Sequence, residues 1–362
     1  MFDLKAVPDF GLEWLDASGP YSDVVLSTRI RLARNLQGFP FSVRAKPADR
    51  EAVLSTVTEL ITREGTLHGA WVVPMRQLDG SGRRLLIERH LVSRDLTGEV
   101  ESEAPPATAL IQAQSPPVGC MVNEEDHLRL QILASGFQPA ESWRALDRLD
   151  EEIGSRIPFA FHHEFGYLTS CPTNCGTGLR ASVLIHLPGL VLTKEIHKVL
   201  HGLTQVGLTF RGLYGEGSEV VGNFFQISNQ TTLGKTEEDL IDHLQKMVRQ
   251  VMEYESRARS ILLRDAPNVI EDKVWRAYGI LRHARSLSFE EVMNLLSGVR
   301  LGLSLKLLPG PSVYSLNRIM IFSQNAHLEL LAGQALAAGE QDVQRASYVR
   351  QVLAEEEERW SP

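Results

Sequence analysis

Cysteine is scarce in this sequence: Cys120, Cys171 and Cys175 are the three in 362 residues. So few, and an odd number, cannot form a disulfide framework, and a reducing compartment, the cytoplasm, is the expected setting. Long apolar runs are missing too. The most apolar stretch, Ala181 to Thr193, is broken by His186 and Pro188, and the opening MFDLKAVPDF has no basic region followed by an apolar core. No membrane span or targeting segment is expected. An excess of positive charge is likewise absent: Lys+Arg 37 against Asp+Glu 45 gives −8, a field that repels nucleic acid and anionic membrane. Glycine-rich phosphate loops fail as well. No GxGxxG follows a strand-like run, and Gly234-Lys235-Thr236, which looks like the end of a P-loop, has Asn229 where the leading glycine would stand. A protein of this sequence that handles nucleotide phosphates must do so with side-chain cations.

What is present is enough apolar material, 43% of residues, for two domains of ordinary size. Asp23 to Asn35 (DVVLSTRIRLARN) begins as a β-branched run and becomes strongly basic, the pattern of a strand with a cationic edge. Helical spacing follows in the fifties, Arg84 to Val92 reads as a strand, and the acidic, proline-rich stretch from Asp95 to Gly119 reads as a surface loop. Strand-like runs then recur at Cys120 to Asn123, Leu128 to Leu133, Ala181 to Leu187, Gly207 to Gly212 and Asn223 to Ile227. With few long helices between them, they predict a largely antiparallel sheet in an α+β domain. Thr236 reads as an N-cap followed by Glu237, Glu238 and Asp239, and Leu240, Leu244, Met247, Val251 and Tyr254 form one apolar helix face that closes the sheet domain. From residue 259 onward strand patterns stop, breakers cluster at Pro309, Gly310 and Pro311, and a separate all-helical domain is expected over 259–362, after a first domain over 1–258. The acidic run Glu355 to Glu358 reads as a solvated helix end.

The candidate chemistry lies in arginines, carboxylates and one cysteine loop. Arg29, Arg31, Arg129, Arg180 and Arg211 sit in or beside strand-like segments, and guanidinium forks match phosphate oxygens bidentately. Five together suit a triphosphate; singly, each would as readily pair with the surplus carboxylates. Glu124, Glu125 and Asp126 precede His127 and Arg129 in NEEDHLR, and Glu216 follows Arg211 in RGLYGE, so two short segments each join acid to arginine, as structural ion pairs or as a catalytic base. CPTNCGTGLR, Cys171 to Arg180, is a tight loop in which a cysteine beside cations can be held as thiolate. Zinc on Cys171, Cys175, His162 and His163 is the rival reading, without the paired CxxC of structural sites.

Taken in order, STRIRLARN, NEEDHLR, CPTNCGTGLRASV and RGLYGEGSE resemble the ATP:guanido phosphotransferases, the phosphagen kinase family, from about Asp23 to Arg257. The resemblance is to the bacterial protein-arginine kinases of the McsB type: the STRIR stretch starts at Ser27, leaving no room for the helical N-terminal domain of small-guanidine kinases, and a helical tail follows. It implies the phosphagen kinase catalytic fold, a glutamine-synthetase-like antiparallel sheet flanked by helices, with a core over 23–257. Carried over residue by residue, it implies that Ser27, Thr28, Arg29, Ile30 and Arg31 meet ATP, with His90, Arg129, Arg180, Ala181, Ser182, Val183, Leu184 and the stretch Arg211, Gly212, Leu213, Tyr214, Gly215. Glu125 and Glu216 match the carboxylates that grip the guanidinium, and Cys171 matches the cysteine against it. Mg²⁺ would come with the ATP rather than on protein ligands.

The resemblance further implies protein substrates with exposed arginines, a homodimer built on the tail, a zinc-finger activator protein, and a Clp-type unfoldase and protease that read the phosphoarginine mark in cytoplasmic quality control under stress. A kinase of free arginine or another small guanidine, and an inactive arginine- or phosphoarginine-binding adaptor, are the alternatives. One departure stands out. In the tail segment QDVQRA, Asp342, Arg345 and Ala346 match a phosphoarginine pocket, but Gln341 replaces its leading arginine. Glutamine has no cationic fork, so weak or absent phosphoarginine-driven activation is expected, with helix packing as the segment's other role.

Overall fold

The basic run after Asp23 forms the central strand of the computed structural model, which describes residues 9–360 apart from 43, 64–66, 68, 100, 101, 115, 116 and 213–219. In chain order the first half comprises β1 (Val25–Arg34), α1 (Pro47–Arg63), β2 (Trp71–Pro74), α2 (Gly80–Glu88), α3 (Arg94–Thr97), β3 (Ala109–Gln112), β4 (Val118–Val122), β5 (Leu128–Ser135) and α4 (Pro139–Arg156). A short hairpin, β6 (Phe161–His162) and β7 (Gly166–Tyr167), leads to β8 (Leu179–His186), α5 (Pro188–Leu192), α6 (Ile196–Gln205), β9 (Leu208–Arg211) and β10 (Phe224–Asn229). Helices alone follow: α7 (Glu237–Asp265), α8 (Pro267–His283), α9 (Phe289–Ser304), α10 (Val313–Phe322), α11 (Asn325–Ala332) and α12 (Ala338–Trp360). None of the described helices is long and apolar enough to cross a membrane.

Eight strands make one sheet in the order β2-β3-β4-β5-β1-β8-β10-β9, with every pairing antiparallel. Period-two alternation divides β1 between two environments. Ile30 and Leu32 enter the main core with Leu128 and Leu130 of β5 and Ala181 and Val183 of β8, beneath α1, α4, α6 and α7. A register shift between Val25 and Ser27 lets Val25 join that face while Leu26 turns to the other. Arg34 also turns to the helix side: it is buried, ion-paired to Asp150 of α4 at 2.7 Å, bonded to the carbonyls of Ala33 and Thr177, and stacked 3.5 Å from the Tyr167 ring centroid.

The second face is shared. The α2–α3 segment covers its β3–β4 end through Leu85, Leu86, Leu96, Leu110 and Met121. The helical region covers the opposite end of the strands, where Leu26, Leu133, Leu184 and Phe224 join α8–α10 and α12. Arg300 of α9 secures this contact by donating to the carbonyls of Ser22 and Asp23 and to Asn317. Glu88, at the end of α2, accepts from the backbone N–H of Ala326 (2.9 Å) and of His327 at the start of α11, where the helix dipole favours an anion.

Four expectations need correction. Arg84–Val92 is helix and turn rather than strand, because Asp79 caps Gly82 N–H at 2.7 Å and starts a helix whose apolar residues meet the α2–α3 core. The proline-rich stretch is not all loop: β3 lies inside it, paired on both sides and fully buried, and a strand buried on both faces shows no alternation. On α7 the capping box at Thr236 is present, but Ile241 and Val248 complete the buried face while Tyr254 is exposed; the helix also runs unbroken past 258 to Asp265. In the acidic run, Glu356 is buried and accepts from Ser312 N–H, and Glu357 bonds Tyr278 and Arg282.

Asp150→Ala would leave the buried Arg34 cation without its counter-ion, an expected loss of about 3–5 kcal/mol in urea unfolding. Arg34→Met in addition is expected to restore part of that loss, because an apolar chain needs no partner there.

Candidate active site

Between the two covers the sheet's second face stays open as a cleft of about 830 Å³. Alternation puts the arginines there. Arg29 and Arg31 point out of β1, Arg129 out of β5, Arg180 out of β8 and Arg211 out of β9, and all five line the cleft. Register brings them close: Arg31 lies directly opposite Arg180 on one side and Gln131 on the other. The loop before β8 reaches the cleft through Cys171, Thr173 and Asn174, the loop before β5 through Glu125, and α2 with the turn after it through Ile87, His90 and Ser93. Gly176 (φ +105°) and Gly178 (φ +63°) let the cysteine loop pass against the backbone of Thr232 and Ala33, where a Cβ would come within 2.3 and 2.6 Å of carbonyl oxygens.

The electrostatics of the cleft are those of an anion site. Burial first, then the neighbouring Arg129, lowers Arg29 from its ordinary value to about 10, and Arg31 is lowered well below its ordinary value by burial and by Arg29, Arg129 and Arg180. The partner of Arg29 is neutral, Gln131 Oε1 at 2.8 Å, and the buried Nε of Arg31 has no hydrogen-bond partner among the described residues. Burial and Arg29 push His90 down to about 3, so it adds no charge near neutral pH. Arg129 is compensated by carboxylates. Burial works against its charge, but Glu124, Asp126 and Glu125 raise it overall, with Glu124 at 2.6 Å and Glu125 at 3.0 Å. Ser93 in turn donates to Glu124. Glu125 is raised from 4.5, by burial above all, against the lowering pull of Arg129.

The expected site residues therefore divide. Arg29, Arg31, His90, Arg129, Arg180, Arg211, Glu125 and Cys171 line one cleft. Thr28, Ile30, Ala181 and Val183 do not: the same alternation turns their side chains to the opposite face, Ile30, Ala181 and Val183 into the main core and Thr28 onto Gly136 O at 2.7 Å. Ser182 lies beside the cleft, bonded by Gln226 at 3.0 Å, whereas Ser27 is buried opposite Ser135 and Leu184 packs into the helical region. Gly212 is buried just beyond β9 and outside the cleft lining, and Leu213, Tyr214, Gly215 and Glu216 lie outside the described residues. Cys171 and Cys175 bond to Thr173 and Thr169 hydroxyls, and among the described residues no group of three or more His, Cys, Asp or Glu can hold a metal.

Sequence reasoning missed Gln131, Ser93, Arg94 and Asn174. Gln131 was within reach of it, two residues beyond Arg129 on the same strand face; the others depend on how the covering segments pack. In the tail, Arg345 is buried and its guanidinium donates to Asp342, Ser323 O, Leu287 O and Asn325 Oδ1, while Ala346 is core. Gln341 reaches Glu329 and Leu336 O. As it stands, this segment ties α12 to α11 and to the turn before α9.

Comparison with known proteins gives a consistent result. Residues 52–258 match the family described as ATP:guanido phosphotransferase, C-terminal catalytic domain, and residues 267–361 match the protein-arginine kinase McsB C-terminal domain. The chain is 46% identical over 345 residues to a protein-arginine kinase of Symbiobacterium thermophilum, covering 94% of this chain and 96% of that one. It is 42% identical to the protein-arginine kinase of Brevibacillus brevis, over 94% of each. Among solved structures, a lombricine kinase superposes with a TM-score of 0.57 at 26% identity, covering 67% of this chain and 70% of that one. A sheet face that gathers arginines without glycine-loop help, joined to a matching helical tail, thus has its explanation: the chain belongs to the ATP:guanido phosphotransferase family, in its protein-arginine kinase branch.

Proposed function

We propose that this protein transfers the γ-phosphoryl group of MgATP to the guanidino group of arginine side chains in proteins, giving phosphoarginine. The observation that carries the reading is the cleft itself, where a cluster of buried, mutually repelling arginines meets a carboxylate and a cysteine on the same rim. Arg29, Arg31, Arg129, Arg180 and Arg211 hold the phosphates, since each guanidinium presents a fork to phosphate oxygens, and for Arg29 and Arg31 an anion offsets the repulsion of neighbouring cations. Mg²⁺ bound with the nucleotide would supply further charge neutralisation to the phosphates that these arginines hold.

An arginine guanidinium has a pKa above 12 and no free lone pair, so it attacks only as a proton leaves. Glu125, with Glu216 matched by sequence, grips the planar cation in line with the γ-phosphorus and takes that proton. Nitrogen–phosphorus bond formation accompanies cleavage of the bond from the γ-phosphorus to the bridging oxygen, and ADP leaves with the electron pair. Cys171 lies against the guanidinium. Catalysis is then largely positioning and prearranged charge. On this reading the partners are unfolded or arginine-exposing proteins, a second copy of the chain, a zinc-finger activator, and a Clp-type unfoldase and protease, in the cytoplasm. The internal bonding of Arg345 supports a structural role for the tail segment that was matched to a phosphoarginine pocket.

The deciding experiment offers labelled MgATP with free L-arginine or with an unfolded arginine-containing protein. Acid-labile label on the protein is expected; label on free arginine alone would replace this reading with a small-guanidine kinase, and no transfer to either would favour an adaptor. Glu125→Ala and Glu216→Ala are expected to abolish transfer with nucleotide affinity nearly unchanged, and full activity in either overturns its role. Because Glu125 must be ionised and its pKa is raised, kcat/KM is expected to fall on the acid side with an apparent pKa above 4.5. Arg31→Met is expected to raise the melting temperature of the nucleotide-free protein and to weaken MgATP about tenfold or more, as charge-assisted bonds of about 1.5–3 kcal/mol are lost. Unchanged MgATP affinity would remove Arg31 from the phosphate site.

A further inference from the structure

Two loops from distant parts of the chain must meet at the acceptor side of the cleft, one carrying Glu125 and one carrying Cys171. Neither side chain bonds the other. What joins the loops is the next residue, Asp126, which is fully buried and lines no part of the cleft. Its Oδ1 accepts from Ser170 N–H, beside Cys171, at 2.7 Å, and from Asn35 Nδ2 at 2.7 Å. Asn35, just past β1, completes the junction: its amide also donates to Leu168 O at 3.1 Å and its Oδ1 accepts from His127 N–H at 2.9 Å. Three segments, the end of β1, the acidic loop and the start of the cysteine loop, therefore share one buried carboxylate oxygen.

We propose that Asp126, held by Asn35, is a positioning residue for phosphotransfer: its carboxylate sets the placement of Cys171 relative to Glu125, and so the fit of the acceptor guanidinium. A carboxylate oxygen accepting two N–H groups in a buried site is shorter-ranged and stiffer than a solvated loop contact. Its position directly after Glu125 and its bond to the residue directly before Cys171 leave little slack on either side. Asp126 Oδ2 has no hydrogen-bond partner among the described residues, so the fold accepts a buried acidic oxygen in order to keep the other one in place. An apolar side chain would avoid that cost but could not accept from Ser170 and Asn35.

The proposal rests on the kinase reading for its kinetic consequence but not for its structural one, and the test separates the two. In the full-length protein, Asp126→Ala, Asp126→Asn and Asn35→Ala are compared for the rate at which iodoacetamide alkylates Cys171, read by peptide mass spectrometry, and for KM of a protein acceptor against KM of MgATP. Asp126→Ala is expected to change the Cys171 alkylation rate at least threefold and to raise the acceptor KM at least tenfold, with the MgATP KM within twofold of the parent. Asp126→Asn keeps an acceptor oxygen for both N–H groups and is expected to stay within threefold on every measure. A folded Asp126→Ala with parental alkylation and parental acceptor KM overturns the proposal, as does an Asp126→Asn as impaired as Asp126→Ala, which would assign the effect to charge. Should Asp126→Ala not fold, Asn35→Ala is read by the same criteria. A parent protein that transfers no phosphate but whose Cys171 reactivity responds as described would overturn the kinase reading and support the junction.

Discussion

Like-charge crowding on one sheet face is the constraint around which the molecule is arranged. Arg31 stands opposite Arg180 across a strand pair, with Arg29 two residues away on the same face and Arg129 on the neighbouring strand. Such a cluster is unfavourable by itself, because burial and mutual repulsion both oppose the charged forms. It persists because the strands that carry it are held from behind. Ile30, Leu32, Leu130, Ala181 and Val183 are packed under four helices, and the opposing register leaves the arginines no other face to occupy. The stability of the core thus sustains a face on which Arg29 and Arg31 are held against burial and mutual repulsion.

The same sheet face also explains the rest of the architecture. Were it fully covered, there would be no cleft; were it uncovered, its apolar ends would face water. The α2–α3 segment and the helical region each bury one apolar end and stop at the arginines. Their mutual contact through Glu88 and His327 connects the element that brings His90 to the cleft with the helix that packs against the tail. Arg84 with Glu329, and Gln341 with Glu329, extend that contact to α12. The tail is therefore built into the frame of the site. Arg345, whose guanidinium is bonded to three segments within the chain, acts as one of its fasteners.

Arginine serves two opposite purposes within a few residues of β1. Arg31 faces the cleft amid cations, whereas Arg34, three positions on, faces α4, where Asp150, two carbonyls and an aromatic ring satisfy it completely. The contrast shows that residue type does not decide the role; strand parity and the partner on the far side do. The acidic loop follows the same logic. Glu124 neutralises Arg129 from a buried position, Glu125 reaches the cleft, and Asp126 turns inward to tie loops together.

Much of this was legible in the residues. A β-branched run marked β1, strand-like runs between turn residues marked β4, β5, β8, β9 and β10, the Thr236 cap marked α7, and the four motifs carried the family and the identities of the cleft arginines, Glu125 and Cys171. Those features are local: propensity, capping and alternation act over a few residues. What the local pattern left open is which side of each strand is covered, and that decided that Thr28, Ile30, Ala181 and Val183 belong to the core side while Gln131 is buried behind the cleft as the partner of Arg29. It also hid β3 and α2, one because burial on both faces erases alternation, the other because its cap lies upstream of its apolar run. The bonds from Asp126 to Asn35 and Ser170 join residues 91 and 44 positions apart. Only the assembled sheet brings them within hydrogen-bond reach, so the sequence determined which groups the chemistry has, and the tertiary structure decided which of them meet.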